Sequence, residues 1–147
     1  MFTYGTRSKS KLATCHSELQ DVFALYLKWQ LYDITIVHGW RGEEIQNDAF
    51  LQGNSTKQWP DSKHNYINPE THKAESLAVD FAPWCMLPNG KMGIPWKDTH
   101  AFAVIGGILL ASSRELGYNM RYGGDWDMDG LTTDQTLMDW GHIERVV

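Results

Sequence analysis

The sequence predicts an α+β domain, an antiparallel sheet flanked by helices, on three observations. Apolar residues near the start recur with helical period, short β-branched runs elsewhere are closed by turn formers, and one long apolar run lies between capping signals. No repeat, low-complexity tract or linker interrupts the chain, so the elements belong to one compact unit spanning residues 1–147, with no separate second domain expected.

From Ser10, residues Leu12, Leu19, Val22, Phe23 and Tyr26 form one stripe of a 3.6-residue repeat and predict an opening amphipathic helix. Tyr32 to His38 alternates over most of its length and is β-branched, which predicts a strand ending at Gly39. Arg41 to Phe50 has mixed helical character, and Gln52 to Pro60 is a polar connection rich in turn formers. Ser76 to Ala82 is apolar and β-prone and predicts a second strand closed by Pro83. After a turn at Leu87-Pro88-Asn89-Gly90, Asp98 or Thr99 can cap a helix running from Ala101 to Leu116 and stopped by Gly117. Met120 to Tyr122 and His142 to Val146 predict two further short strands.

Composition removes several functional classes. At 147 residues the chain fits a single domain that can fold without staples. The longest apolar run, Ala101 to Ala111, is shorter than the ~18–20 residues of a membrane span. Residues 1–7 lack the basic start, apolar core and cleavage site of a secretory signal, so the expectation is a protein made and held in a cytoplasm. Thirteen Lys and Arg against 18 Asp and Glu, with no basic block, argue against electrostatic binding of nucleic acid. Cys15 and Cys85 have no CxxC spacing and read as reduced thiols.

Six histidines are present, and two have neighbours that suit metal chemistry. His64 is followed by Asp80, and His142 stands three residues after Asp139. A catalytic zinc takes three protein ligands of this mix and keeps a fourth position for water, and a nearby carboxylate is then needed to relay the proton. His64, Asp80 and His142 can supply the ligands and Asp139 the relay. Spacing alone does not separate such a set from a chance triple in a chain with so many candidates.

The ordered pattern Ser62-x-His64, Ala78-x-Asp80 and Asp139-x-x-His142 resembles the signature of the zinc D-alanyl-D-alanine carboxypeptidase and L-alanyl-D-glutamate endopeptidase family, and within it the small phage endolysins. The resemblance runs from Tyr4-Gly5-Thr6-Arg7-Ser8 through Val37-His38-Gly39-Trp40-Arg41 and Val79-Asp80-Phe81-Ala82-Pro83 to Gly141-His142-Ile143-Glu144. It implies a hedgehog/D,D-peptidase-like fold, zinc on His64, Asp80 and His142, Asp139 as catalytic acid/base, and Arg41 facing the substrate or its developing oxyanion. A planar guanidinium suits either a stem-peptide carboxylate or a tetrahedral intermediate. Ser62, two residues before the first ligand, would orient the loop or a substrate group.

The family usually separates its first histidine and its aspartate by a short stretch, whereas His64 and Asp80 are 16 residues apart. The intervening segment contains His72, which the spacing favours. Local context favours His64, because the position two before His72 is Glu70 and not serine. The expectation falls on His64.

Asp125-x-Asp127-x-Asp129-Gly130 copies the start of a calcium loop, although its twelfth position is Thr136 in place of glutamate. It reads either as an acidic surface turn or as a weak calcium site. Of seven tryptophans, Trp40, Trp84, Trp126 and Trp140 neighbour the candidate site in sequence, while core packing accounts for any one of them singly.

The expected function is zinc-dependent hydrolysis of the L-alanyl-D-glutamate bond of the peptidoglycan stem peptide by a monomer, stored in the host cytoplasm and acting on the cell wall, with no nucleic-acid or membrane partner. A D-alanyl-D-alanine carboxypeptidase and a non-catalytic zinc-stabilised wall-binding module are the alternatives.

Overall fold

The computed structural model describes residues 1–135 and 138–146. The stripe predicted as one opening helix is two, α1 (Thr6–Leu12) and α2 (Ser17–Trp29). The break has a local cause. His16 caps α2 by accepting the Glu18 amide on Nδ1 at 3.1 Å, and the linking residues are stitched to Ser76 by His16 N to Ser76 O and Ser76 N to Thr14 O, both 2.9 Å.

Strand β1 (Ile34–His38) and helix α3 (Glu43–Leu51) follow, the helix starting late because Gly42 is its extended N-cap. A 3₁₀ turn at Lys63–Asn65 precedes β2 (Ala78–Pro83), in which Pro83 ends the strand opposite Ile34 instead of lying beyond it. The predicted turn at 87–90 is the tip of a small hairpin, β3 (Cys85–Met86) with β4 (Met92–Gly93), that sequence reading does not anticipate. Helix α4 (Thr99–Glu115) is capped by Asp98, whose carboxylate accepts the Ala101 amide at 3.1 Å, and it stops where Gly117 takes φ +75°. Strands β5 (Met120–Tyr122) and β6 (His142–Arg145) complete the fold.

The main sheet has the order β1-β2-β6-β5 with every pair antiparallel, as the sequence predicts for the class. One face is apolar. Ile36, Phe81, Ile143 and Tyr122 share it and pack against Leu19, Val22 and Phe23 of α2 and Ile105 and Leu109 of α4. Burying each such side chain contributes roughly 1.5–3 kcal/mol, so this layer is what holds the sheet rigid. The opposite face is where the alternation puts Asp80, His142, Glu144 and Arg121.

His38 joins them through an irregularity. Ile36 pairs with Phe81 but His38 pairs with Asp80, so two residues of β1 advance against one of β2. Such a bulge re-aims the side chains beyond it, and it moves His38 from the parity of the core face to that of Asp80. Among the described residues no helix is long and apolar enough to cross a membrane. Cys15 and Cys85 are free thiols.

Candidate metal centre

The polar face of the sheet forms the floor of a groove of about 630 Å³, walled by residues 53–57 on one side and by Trp126, Gln135 and Asp139 on the other. At its floor the structure brings His64, Asp80 and His142 together, one donor atom of each lying within 4.8 Å of the others. Asp80 Oδ1 is 3.2 Å from His64 Nε2 and 3.0 Å from His142 Nδ1. His72 is absent from this cluster. It sits at φ +57° on the exposed excursion 66–75 that the long gap between His64 and Asp80 accommodates.

Each histidine has its outer nitrogen fixed. His64 Nδ1 lies 2.8 Å from the Gly39 carbonyl, which can only accept, so this nitrogen carries the hydrogen and Nε2 is left as donor to the cluster. His142 Nε2 lies 2.9 Å from Glu144 Oε1, which leaves Nδ1 facing Asp80. The position of Gly39 depends on the absence of a side chain, because a Cβ there would lie 2.3 Å from the Lys11 carbonyl oxygen. His64 itself is buried and placed by its turn, where Ser62 accepts the His64 amide at 3.2 Å and receives a reciprocal cap from Asn65.

Arg41 is buried beside the cluster. Its guanidinium donates to Asp80 Oδ2 and, at 3.3 Å, to Gln46 Oε1. Gln46 has no exposed surface, and its amide donates to Ser55 Oγ at 2.9 Å and to the Lys57 carbonyl at 2.7 Å, so the residue that holds Arg41 also holds one wall of the groove. Asp139 lines the groove with Oδ2 3.8 Å from His142 Nδ1. Its strand-like segment lies so close to Gly123 that a Cβ on that glycine would be 2.2 Å from the Asp139 carbonyl oxygen.

These surroundings set the charges. Burial works to raise Asp80, but the charge of His64 and hydrogen bonds from His142, His38 and His64 hold its carboxyl well below the usual range. Asp139 moves the other way, raised chiefly by desolvation. Burial would lower His142, yet hydrogen bonds to Asp80 and Glu144 raise it to about 9, and the same contacts with Lys63 and Arg121 bring Glu144 down to about 2 against its own desolvation.

Several residues of this site are not singled out by the sequence. His38 places Nδ1 3.3 Å from Asp80 Oδ2, Glu144 supports His142, and Lys63 and Arg121 each donate to Glu144 at 2.8 Å. A signal existed for Glu144, since residues two apart on a strand share a face. None existed for His38, because strand parity assigns it to the core. Of the four tryptophans near the site in sequence, Trp126 lines the groove with its ring 5.4 Å from that of His142. Trp40 packs edge-on against Trp59, Trp84 is exposed, and Trp140 packs on the core.

Asp125, Asp127 and Asp129 also bring carboxylate oxygens within 4.8 Å of one another, in the loop after β5. Thr136, the twelfth position of that loop, lies outside the described residues.

The donor set at the sheet could hold a metal ion, and the proteins this chain resembles are peptidases. The profile of the phage L-alanyl-D-glutamate peptidase family matches residues 1–146. The L-alanyl-D-glutamate peptidase of Escherichia phage T5 is 36% identical over 148 residues, covering 99% of this chain and 98% of that protein. The crystal structure of the Serratia marcescens L-Ala D-Glu endopeptidase ChiX superposes with a TM-score of 0.71 at 23% identity over 99% of this chain and 90% of the other, which shows the shared fold. By sequence along its whole length, the chain belongs to the phage L-alanyl-D-glutamate peptidase family.

Proposed function

We propose that this peptidase is a zinc-dependent endolysin that hydrolyses the L-alanyl-D-glutamate bond of the peptidoglycan stem peptide. The observation that carries the reading is the convergence of His64 Nε2, Asp80 and His142 Nδ1 at the groove floor, each imidazole with its outer N–H already committed, beside Asp139. Two imidazole nitrogens and a carboxylate are a ligand set that suits zinc and leaves a position for water.

When bound, zinc lowers the pKa of water from ~15.7 to about 7 and polarises the carbonyl under attack. The protein does the rest. Asp139 accepts the proton of the attacking water and returns it to the leaving amine of the D-glutamyl residue. Arg41 holds Asp80 in place and supplies positive charge beside the developing oxyanion, Ser62 fixes the turn that carries His64, and the groove walls hold the stem peptide. For the loop of Asp125, Asp127 and Asp129 both readings stand, an acidic surface turn and a weak calcium site, and calcium titration separates them. Residues 1–147 act as one catalytic unit, in monomeric form, stored in the host cytoplasm before reaching the wall.

Digestion of purified peptidoglycan, with and without a zinc chelator, tests the reading through the new chain ends. Free N-terminal D-glutamate, lost on chelation and restored by zinc, is the expected product. Released D-alanine would instead support a carboxypeptidase.

A further inference from the structure

Glu144, on the interior strand β6, makes more side-chain contacts than its place in the sheet requires. Its side chain is buried, and Oε1 receives the His142 Nε2 hydrogen at 2.9 Å. Oε2 receives two cations, Lys63 Nζ and Arg121 Nη2, each at 2.8 Å. Lys63 immediately precedes His64 in the 3₁₀ turn, and Arg121 faces Glu144 directly across the β5 and β6 pair. The Arg121 guanidinium also lies 5.2 Å over the Trp126 ring, which in turn abuts His142. One carboxylate therefore links the ring of the third metal donor to the turn that carries the first.

An imidazole can present either nitrogen to a metal, and the one it presents is decided by the partner of the other. Glu144 receives Lys63 and Arg121 on Oε2 and turns Oε1 to His142 as an acceptor, so it requires the hydrogen on Nε2 and frees Nδ1. We infer that Glu144 is a positioning residue that selects Nδ1 as the metal-binding nitrogen of His142 and keeps that ring in register with His64. The inference rests on the metal reading of the preceding subsection.

Glu144→Gln separates this role from simple packing. Glutamine keeps the volume but has one acceptor oxygen where three donors converge. Lys63 and Arg121 claim that oxygen, and the amide NH₂ then faces His142 and demands a bare Nε2, the wrong tautomer. A space-filling role for Glu144 makes the same substitution harmless. The experiment measures zinc affinity by chelator competition for the wild-type protein, Glu144→Gln, Glu144→Ala, His142→Ala and Asp80→Ala. Long-range ¹⁵N–¹H spectra of the zinc-loaded wild-type protein identify the protonated nitrogen of His142.

The expected spectrum has hydrogen on Nε2 and metal on Nδ1, and both Glu144 variants lose roughly 10–100-fold in zinc affinity. Ligation of wild-type His142 through Nε2, or wild-type affinity in folded Glu144→Gln, overturns the inference. Should Glu144→Ala fail to fold, the isosteric variant and the wild-type spectrum still decide. If His142→Ala or Asp80→Ala binds zinc as tightly as wild type, the metal reading itself fails. Loss of zinc in both with Glu144→Gln unchanged defeats the role of Glu144 alone.

Discussion

At the groove floor Asp80 draws its partners from distant parts of the chain: His38 and Arg41 at and beyond the end of β1, His64 in the 3₁₀ turn and His142 on β6. In the loop after β5, Asp125, Asp127 and Asp129 draw hydrogen bonds from within the loop, from the Gly130 amide at 2.9 Å, the Gln135 side chain at 3.2 Å and the Leu131 amide at 2.7 Å, while Asp125 Oδ1 is buried without a hydrogen-bond partner among the described residues. The first cluster cannot form until the sheet has formed, and its donors are then held in one geometry. The second is local and largely exposed, and its carboxylates already accept hydrogen bonds from the loop, so a cation there competes with those bonds. Two sets of carboxylates that look alike in a sequence differ in preorganisation, and that difference decides what each can do.

The largest effect should come from removing the centre of the first cluster. Asp80→Ala takes away a donor of the proposed metal centre and strands the buried Arg41 guanidinium, leaving Gln46 as its side-chain partner among the described residues. Zinc binding and hydrolysis are expected to vanish, and unfolding stability to fall by about 3–5 kcal/mol, the usual cost of breaking one side of a buried ion pair. Equilibrium denaturation and zinc titration read both. Wild-type stability in this variant would mean that the cluster is not preorganised by Asp80.

Asp139→Ala should separate chemistry from assembly. Its carboxylate touches the cluster only at 3.8 Å, so zinc affinity stays near wild type while hydrolysis of peptidoglycan falls by ~10²–10⁴-fold, the range for loss of a general acid/base. Equal loss of both would move Asp139 from proton transfer to metal binding, and intact lysis would favour a role without catalysis.

The parts of the site that rest on residue chemistry were legible, and those that rest on backbone irregularity were not. His142 and Asp80 stand directly opposite on paired strands, so simple alternation puts them on one face. The α4 helix was readable from Asp98 to Gly117 because both end signals are side-chain or glycine effects local to the sequence. His38 was not, since Ile34, Ile36 and His38 share parity and only the bulge between Ile36 and His38 separates them. The break between α1 and α2 was hidden for a similar reason. The stripe Leu12 to Tyr26 continues through it, and the bridge to Ser76 that interrupts the helix is a contact across 61 residues. Lys63 and Arg121 look like surface cations until Glu144 is known to lie between them.

A smaller effect should follow from disturbing position without removing a functional group. Gly123→Ala puts a methyl 2.2 Å from the Asp139 carbonyl oxygen, and both neighbours there are backbone held by hydrogen bonds, Gly123 N to His142 O at 2.8 Å and Asp139 N to Gly123 O at 3.0 Å. The Asp139 segment must shift. A displacement near 1 Å can cost ~10²-fold in rate, so hydrolysis should drop by roughly 10–100-fold with zinc still bound. Unchanged hydrolysis would show that Asp139 tolerates motion that the donors of the first cluster do not.

The smallest effect belongs to the local loop. Asp127 is exposed and its partners, the Gln135 side chain and the Asp129 backbone among them, belong to the same loop, so Asp127→Ala without calcium should leave thermal stability nearly unchanged. Calcium is where the loop can be told from an ordinary acidic turn. If it binds, saturation raises the wild-type melting temperature by a few degrees through preferential binding to the folded state, and Asp127→Ala abolishes that rise. The loop begins one residue after Gly124, and Trp126 within it abuts His142, so an ordered loop should also steady the wall of the groove facing the metal donors. Calcium should then lower the KM for peptidoglycan in wild type and not in Asp127→Ala. No calcium response in either stability or KM, using chelator-treated protein reloaded with zinc alone, would leave the three carboxylates as a solvated turn and make the sheet cluster the sole cation site among the described residues.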